Sequence, residues 1–364
     1  MLDMSASPEL ADAAPYGIGC VEKQARLLRE LNELTRLHHR NCAEYRAIID
    51  GYGVAPGSAE RIEDIPFIPV RMFKRMALKS VEDSAVFKTM TSSGTTGQVP
   101  SRIFLDTTTA QRQTRMLVKI MQTFIGGQRL PMLIIDHPGV VRDRLSFSAR
   151  GAGILGLSNF GREHTYALRD EDLSVDLDVV ARFAERHAGK PVLMFGFTFM
   201  VWKHLVEALR RSSTKLDFAD AVLIHSGGWK KLQDEAVSNE VFRAGLAEWA
   251  GVRRVHSFYG MVEQTGTIHV ECEHGLLHAP SAADVIIRNP RDWSVCAQGE
   301  EGVIQLLSTL PFSYPGHSIM TEDRGVLIGE DDCPCGRMGK RFRVLGRVPM
   351  AELRGCSDVA AQAA

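Results

Sequence analysis

"TSSGTTGQVPSRI", residues 91–103, sets hydroxyl side chains and glycines between two short apolar runs. Such a segment contributes little to a core. Glycines at 94 and 97 let the backbone come close to a ligand and turn several N–H groups inward. The hydroxyls of Ser92, Ser93, Thr95 and Thr96 add donors, so the stretch suits a polyphosphate. It is not a Walker A loop, because no Gly-Lys-Ser/Thr closes it. On composition alone the simpler reading is a β-hairpin with a polar turn. What surrounds it decides between the two.

Upstream, residues 19–50 carry helical spacing (Val21, Leu27, Leu28, Leu31, Leu34, Tyr45, Ile48), ended by Gly51 and Gly53. "IPFIPVRMFK" holds Pro66 and Pro69 and reads as extended or looped rather than helical. Downstream, short apolar runs recur at 87–90, 102–105, 132–135, 192–195, 222–224 and 255–258. Helix-like stretches lie between several of them, at 107–124, 174–188, 198–211 and 230–249. This alternation predicts an α/β fold with layered sheets and helices. From 284 onward "ADVIIRN", "GVIQLLS", "RGVLIG" and "RFRVLGR" predict a β-rich end. The expected organisation is a helical lead-in over 1–85, a core over 86–346 and a short tail over 347–364.

The bulk properties exclude several classes. A formal charge of −1 gives no basic field for a nucleic-acid backbone. No apolar run reaches membrane-spanning length. The N-terminus lacks a basic segment followed by an apolar one, and seven cysteines are an odd number, so a reducing cytoplasm is expected. Useful cysteines are then metal ligands or nucleophiles.

Further motifs follow strand-like runs. "HSGGW" puts Gly227 and Gly228 straight after one, where open α/β sheets bind ligands. "SFYGMVEQTG" does the same with Tyr259, Gly260 and Glu263, and a lone carboxylate there suits Mg²⁺. Asp323 in "MTEDRG" can accept from ribose hydroxyls, and Arg347 follows in "VLGR". Each alone is equally a turn, a surface acid or a solvated arginine. Together and in this order they resemble the adenylate-forming superfamily of acyl-CoA synthetases, adenylation domains and luciferases. "IPFIPVRMFK", "TSSGTTGQVPSRIFLD", "GFTFMVWKHL", "HSGGWKKL", "FYGMVEQTG" and "GRVPMAELRGCSD" are similar to acyl-protein synthetases of the LuxE type.

That resemblance implies an adenylating domain that binds ATP through Ser92, Ser93, Gly94, Thr95, Thr96, Gly97, Gly227, Gly228, Tyr259, Gly260, Asp323 and Arg347. Glu263 would hold Mg²⁺. A carboxylic acid, by analogy a fatty acid, becomes acyl-AMP, and the acyl group passes to a protein cysteine and then to a reductase partner. Cys356, the last cysteine, stands near the C-terminus where this family is acylated. Arg354 beside it favours the thiolate. It is equally a small incidental cysteine near a chain end.

The sequence also departs from the wider superfamily. Ser101 and Arg102 follow Pro100 where lysine is usual, and Arg102 supplies a cation only if strand alternation points it inward. The small mobile C-terminal domain and its lysine are expected to be absent, with Lys230 and Lys231 as substitutes only by their place after the Gly-Gly turn.

"CPCG" places Cys333 and Cys335 two apart, and "CEHGLLH" offers Cys272, His274 and His278. A Cys-x-Cys pair with a distant Cys and His suits a closed tetrahedral Zn²⁺ site, or else a set of reduced cysteines in turns. Similarity to phenylacetate-CoA-ligase-like proteins selects His278 as the fourth ligand, with His274 the fallback.

"GAGILG" (151–156) matches the dinucleotide fingerprint, but a poor strand precedes it and no sound helix is expected after it. Its small residues are expected to line the acid pocket instead. His137 in "DHPG" faces the substrate carboxylate or caps a turn. The competing functions are a ligase that passes its acyl group to CoA or a carrier protein, a non-catalytic nucleotide-binding scaffold, and an NAD-dependent oxidoreductase.

Overall fold

The helical spacing over 19–50 produces two helices, α1 (Cys20–Asn41) and α2 (Ala43–Gly51), with a break at Cys42. They belong to a computed structural model that describes residues 9–92, 100–141, 149–170, 172–229 and 235–348. The expected positions Ser93, Gly94, Thr95, Thr96, Gly97, Lys230, Lys231, Arg354 and Cys356 lie outside the described residues. Next along the chain come β1 (Ile68–Pro69), α3 (Met72–Arg75), β2 (Lys88–Thr91), β3 (Arg102–Leu105) and α4 (Thr107–Ile125). An α/β stretch follows: β4 (Leu130–Ile134), α5 (Ala149–Ser158), β5 (Gly161–Tyr166), α6 (Leu177–Arg186) and β6 (Val192–Phe197). It continues with α7 (Thr198–Met200), a π-helical turn (Val201–Val206), α8 (Glu207–Arg211), β7 (Ala221–Ser226), α9 (Asn239–Ala250) and β8 (Arg254–Tyr259). The end is β-rich as expected: β9 (His269–Glu271), β10 (Leu277–His278), β11 (Ala283–Arg288), β12 (Glu301–Ser308), β13 (Ser318–Glu330) and β14 (Lys340–Arg347).

The described chain forms two units, one of residues 9–123 with 260–348 and one of 124–259. In the first, strands run in the order β11-β12-β13-β14-β10-β9, and β1 pairs parallel with β13. Leu27, Leu31 and Leu34 on one face of α1 are buried with Ile286 of β11 and Leu307 of β12. Tyr45 and Ile49 of α2 are buried with Ile103 and Leu105 of β3 and with Tyr314 and Ile319. In the second unit the order is β5-β4-β6-β7-β8, every pair parallel. Its inner strands β4, β6 and β7 are buried on both faces and read as apolar runs, "VLMFGF" among them, while the edge strand β5 is polar and largely exposed.

Three local expectations need correction. "IPFIPVRMFK" is extended only at Ile68–Pro69, and one helical turn follows at Met72–Arg75. Proline restricts the residue before it and leaves later residues free. The helix expected over 230–249 begins at Asn239, where the Ser238 hydroxyl accepts from the Val241 N–H at 3.3 Å. "GAGILG" lies inside helix α5, although no sound helix was expected there. Each interior glycine costs a helix about 1 kcal/mol. Gly153 has a packing reason: a Cβ there would stand 3.1 Å from the Phe197 ring. The glycines therefore do not form the strand-to-helix turn that a dinucleotide requires.

Buried histidines set an acid limit on this fold. Burial pushes His38 in the first unit and His225 in the second down to about 3. The unfolded chain, with histidines near 6.5, binds more protons in the window between those values. The stability these neutral rings contribute is therefore complete above about pH 6.5 and is lost as pH falls toward about 3. Each histidine adds a slope of up to about 1.4 kcal/mol per pH unit. The melting temperature should already fall between about pH 6.5 and 5.5, above the carboxylate range. A flat profile there would remove this account.

Candidate functional site

The opening stretch proves to be a hairpin at its base. β2 and β3 pair antiparallel, with Thr91 opposite Arg102. Beyond them the Ser92 N–H donates to the Ser101 carbonyl at 3.1 Å, and the Ser101 N–H donates to the Ser92 hydroxyl at 2.8 Å. Alternation along β3 then sorts the two residues that follow Pro100. Ser101, Ile103 and Leu105 are buried, while Arg102 is exposed and lies over the Phe104 ring. Arg102 therefore does not supply a cation on the buried side.

Ser101 stands instead beside Glu263. Glu263 lies on a single 3₁₀ turn, Val262–Gln264, and is only 5% exposed. Burial raises its pKa above the ordinary carboxylate value. Ser101, the Glu263 backbone N–H and the Arg347 charge pull it back down, while Glu322 adds to the rise. The Ser101 hydroxyl has no hydrogen-bond partner among the described residues, so its effect on Glu263 is one of proximity.

The turn that presents Glu263 is held by residues that sequence reasoning passed over. Gln264 donates to the carbonyls of Leu306 (3.2 Å) and Gly316 (2.9 Å). Gly316 is required there, since a Cβ would fall 2.3 Å from the Tyr314 ring and 2.8 Å from the Glu263 carbonyl. Gly266 has φ +86°, and its missing Cβ admits the α4 backbone at Gln113. Gln113 in turn donates to the Tyr314 hydroxyl at 3.0 Å. A buried amide beside a candidate acid, and the Pro-Gly turn at 315–316, were the available signals.

Asp323 and Arg347 are opposite each other on β13 and β14, with an ion pair of 3.6 Å. Their register passes a bulge: Arg324 pairs with Gly346 and Gly325 with Val344, leaving Leu345 as the extra residue. Gly346 at φ +119° makes that step possible.

In the second unit Gly227, at φ +85°, and Gly228 follow the end of β7, and Tyr259 ends β8. Both positions are carboxyl ends of parallel strands, as expected. His225 Nδ1–H donates to the Thr198 hydroxyl (2.9 Å), which donates to the Ser226 carbonyl (3.3 Å), so the peptide entering the glycine pair is fixed. His137, at the end of β4, has both ring nitrogens engaged, Nδ1 by Asp170 at 2.8 Å and Nε2 by Arg150 at 3.2 Å.

Cys272, His278, Cys333 and Cys335 converge, with all four ligand atoms within 4.8 Å of one another. His274 is not in the group. Sγ of Cys272 and Cys333 are 3.9 Å apart, and Sγ of Cys335 is 3.5 Å from His278 Nε2. A tetrahedron with Zn–S near 2.3 Å has edges of about 3.8 Å between sulfurs. The donor set therefore fits a four-coordinate ion with no open position. Its surroundings are ordered by Asp331, which accepts from the N–H groups of Gly339 and of Cys20 at the start of α1, both at 2.7 Å.

The fold is shared with a solved CoA ligase. A 2-hydroxyisobutyryl-CoA ligase in an open conformation, solved with 2-HIB-AMP and CoA, superposes with a TM-score of 0.69 over 98% of this chain and 83% of that chain, at 16% identity. The same ligase in its postadenylation state gives 0.68 over 96% and 73%, also at 16% identity. Residues 6–364 match the family described as acyl-protein synthetase, LuxE, and the chain belongs to that family of acyl-protein ligases. A curated relative, the long-chain-fatty-acid–luciferin-component ligase of Vibrio harveyi, is 21% identical over 99% of this chain and 95% of its own length.

Proposed function

We propose that this chain uses ATP to activate a carboxylic acid, in keeping with its family a fatty acid, and then carries the acyl group on Cys356 as a thioester for delivery to a reductase partner. The observation that carries the reading is the pairing of the Ser/Thr/Gly hairpin with a buried acid: Ser101, at the foot of that loop, lies beside Glu263, which Arg347 also faces. In the first step a carboxylate oxygen bonds to the α-phosphorus of ATP, and the bond to the β-phosphate oxygen breaks, releasing pyrophosphate. Negative charge gathers at the phosphate chain. Glu263 would hold Mg²⁺ to offset it, and the donors of 92–97 would bind the phosphates. Gly227, Gly228 and Tyr259 would flank the adenine side, and Asp323 would accept from the ribose. In the second step the Cys356 thiolate attacks the acyl carbon, AMP leaves, and the thiol proton passes to solvent.

Zinc belongs to the same reading as a structural ion on Cys272, His278, Cys333 and Cys335. Closed coordination leaves it no part in the chemistry.

The test is acid-dependent exchange of labelled pyrophosphate into ATP, followed by mass spectrometry of the acylated peptide. Exchange with label on the peptide holding Cys356 supports both steps. Label found only on added CoA makes the protein a CoA ligase, and no exchange with any acid leaves a nucleotide-binding scaffold.

A further inference from the structure

The strand order of the second unit has one reversal. From β4 the chain crosses through α5 to β5 on one side, and from β6 it crosses through α8 to β7 on the other. Neighbouring strands whose connections part in this way leave a crevice at their carboxyl ends, where open α/β sheets take ligands. The residues at the β4–β6 crevice are Asp136, His137 and, from β6, Phe197 and Thr198. Gly153 of α5 packs on Phe197, and Arg150 lies three residues earlier on the same helix face.

Arg150 is 7% exposed, with one nitrogen in an ion pair and another in a hydrogen bond. Nε faces Asp136 Oδ2 at 3.1 Å, and Nη2 donates to His137 Nε2 at 3.2 Å. An arginine can only donate, so Nε2 accepts in that second bond and the ring gives its Nδ1–H to Asp170. A planar guanidinium fixed at two nitrogens has its third fixed as well. Nη1 is buried and has no partner among the described residues. A charged donor left so is costly, and an acceptor on a ligand would relieve it.

We propose that Arg150 Nη1 is a specificity contact for the acid substrate, and that it receives an uncharged oxygen, a hydroxyl or keto group, on the distal part of the acyl chain. The proposal rests on the adenylation reading above, with the nucleotide at the ends of β7 and β8. The end of β4 lies two and three strands from those ends, roughly 10 to 14 Å at the usual strand spacing. An acyl chain that reaches Arg150 from a nucleotide at those ends would meet it with its distal part. Local charge selects an uncharged group. Asp136, 1% exposed, already matches the guanidinium, and Asp170 adds a second carboxylate, so a further anion would meet excess negative charge.

The experiment compares decanoate with decanoates hydroxylated at successive positions along the distal half of the chain. Pyrophosphate-exchange kcat/KM should be about tenfold or more higher for one hydroxylated member, because a site built for a hydrogen bond discriminates against the analogue that lacks it. The pair of substitutions Arg150→Met and Asp136→Asn, which leaves no unpaired buried charge, should reduce that ratio to near one. Arg150→Lys, which keeps the ion pair without the planar fork, should also lower it. Equal use of all members by the wild type, or a preference that survives the double substitution, overturns the proposal. Should no acid support exchange, the adenylation reading fails by itself. Thermal stabilisation by each acid without ATP then decides the Arg150 contact: a hydroxyl preference lost in the double variant upholds it, and its absence overturns it.

Discussion

Glu263→Gln is expected to lower acid-dependent pyrophosphate exchange by about 10²–10³-fold while leaving the fold intact. The substitution keeps the shape of a side chain that is almost wholly buried and removes only its charge. Burial raises the pKa of this carboxyl, so the ionised form is held at a cost to folding. Arg347 and Ser101 offset part of that cost, and Glu322 increases it. A neutral amide avoids the desolvation altogether, so thermal stability should stay level or rise as activity falls. That opposite movement separates a functional carboxylate from a structural one. Raising Mg²⁺ should recover part of the exchange if Glu263 binds the ion, since affinity rather than geometry has been lost. Full exchange in Glu263→Gln would remove Glu263 from the reaction. A drop in exchange matched by a drop in melting temperature would assign it to the fold.

Much of this architecture was legible because it rests on local periodicity. Leu27, Leu31 and Leu34 repeat at helical spacing and are buried on one face of α1. "VLMFGF" is apolar throughout, and "AVLIHS" up to Ile224, because parallel strands are covered on both sides. The Cys-x-Cys pair was legible for another reason, since few other residues can fill a four-thiol/imidazole shell. Contacts made across long sequence separations were not legible. Nothing in "GAGILG" announces that Gly153 must admit Phe197, and that close approach overrides the low helix propensity of glycine. Likewise Arg150 finds Asp136 only because the β4–α5 connection returns over its own strand. Gln264 carried no expectation, yet its amide reaches carbonyls at 306 and 316 and holds the turn. The question raised at Ser101 was answered by strand alternation: the serine faces Glu263, and the arginine beside it faces away.

Cys333→Ser and Cys272→Ser should each abolish stoichiometric zinc and lower the melting temperature by about 10 °C or more. Structural zinc sites supply about 10–16 kcal/mol of apparent binding energy in small peptides, comparable with the whole stability of an ordinary domain. With an unfolding entropy of about 2.1 cal/mol/K per residue, about 1 kcal/mol corresponds to roughly 1.3 °C in a chain of 364 residues, so losing most of that energy gives a shift of this size. The damage would not stay at the knuckle. Residues 331–339 join β13 to β14, and Asp331 there secures both Gly339 and the first N–H of α1. Tyr16 stacks edge-on against His278 and accepts from the Met338 N–H through its carbonyl. The same hairpin holds Asp323 and Arg347 in register at its other end, so metal loss should also raise the KM for ATP. Cys296→Ser is the control. Cys296 is buried in the same unit but donates to the Glu301 carbonyl, away from the cluster, so it should keep the metal and cost little. Elemental analysis and thermal unfolding of the three variants decide the matter. A wild-type protein that purifies without zinc, and melts at the same temperature with and without a chelator, would reduce these four residues to a set of packed thiols around a histidine.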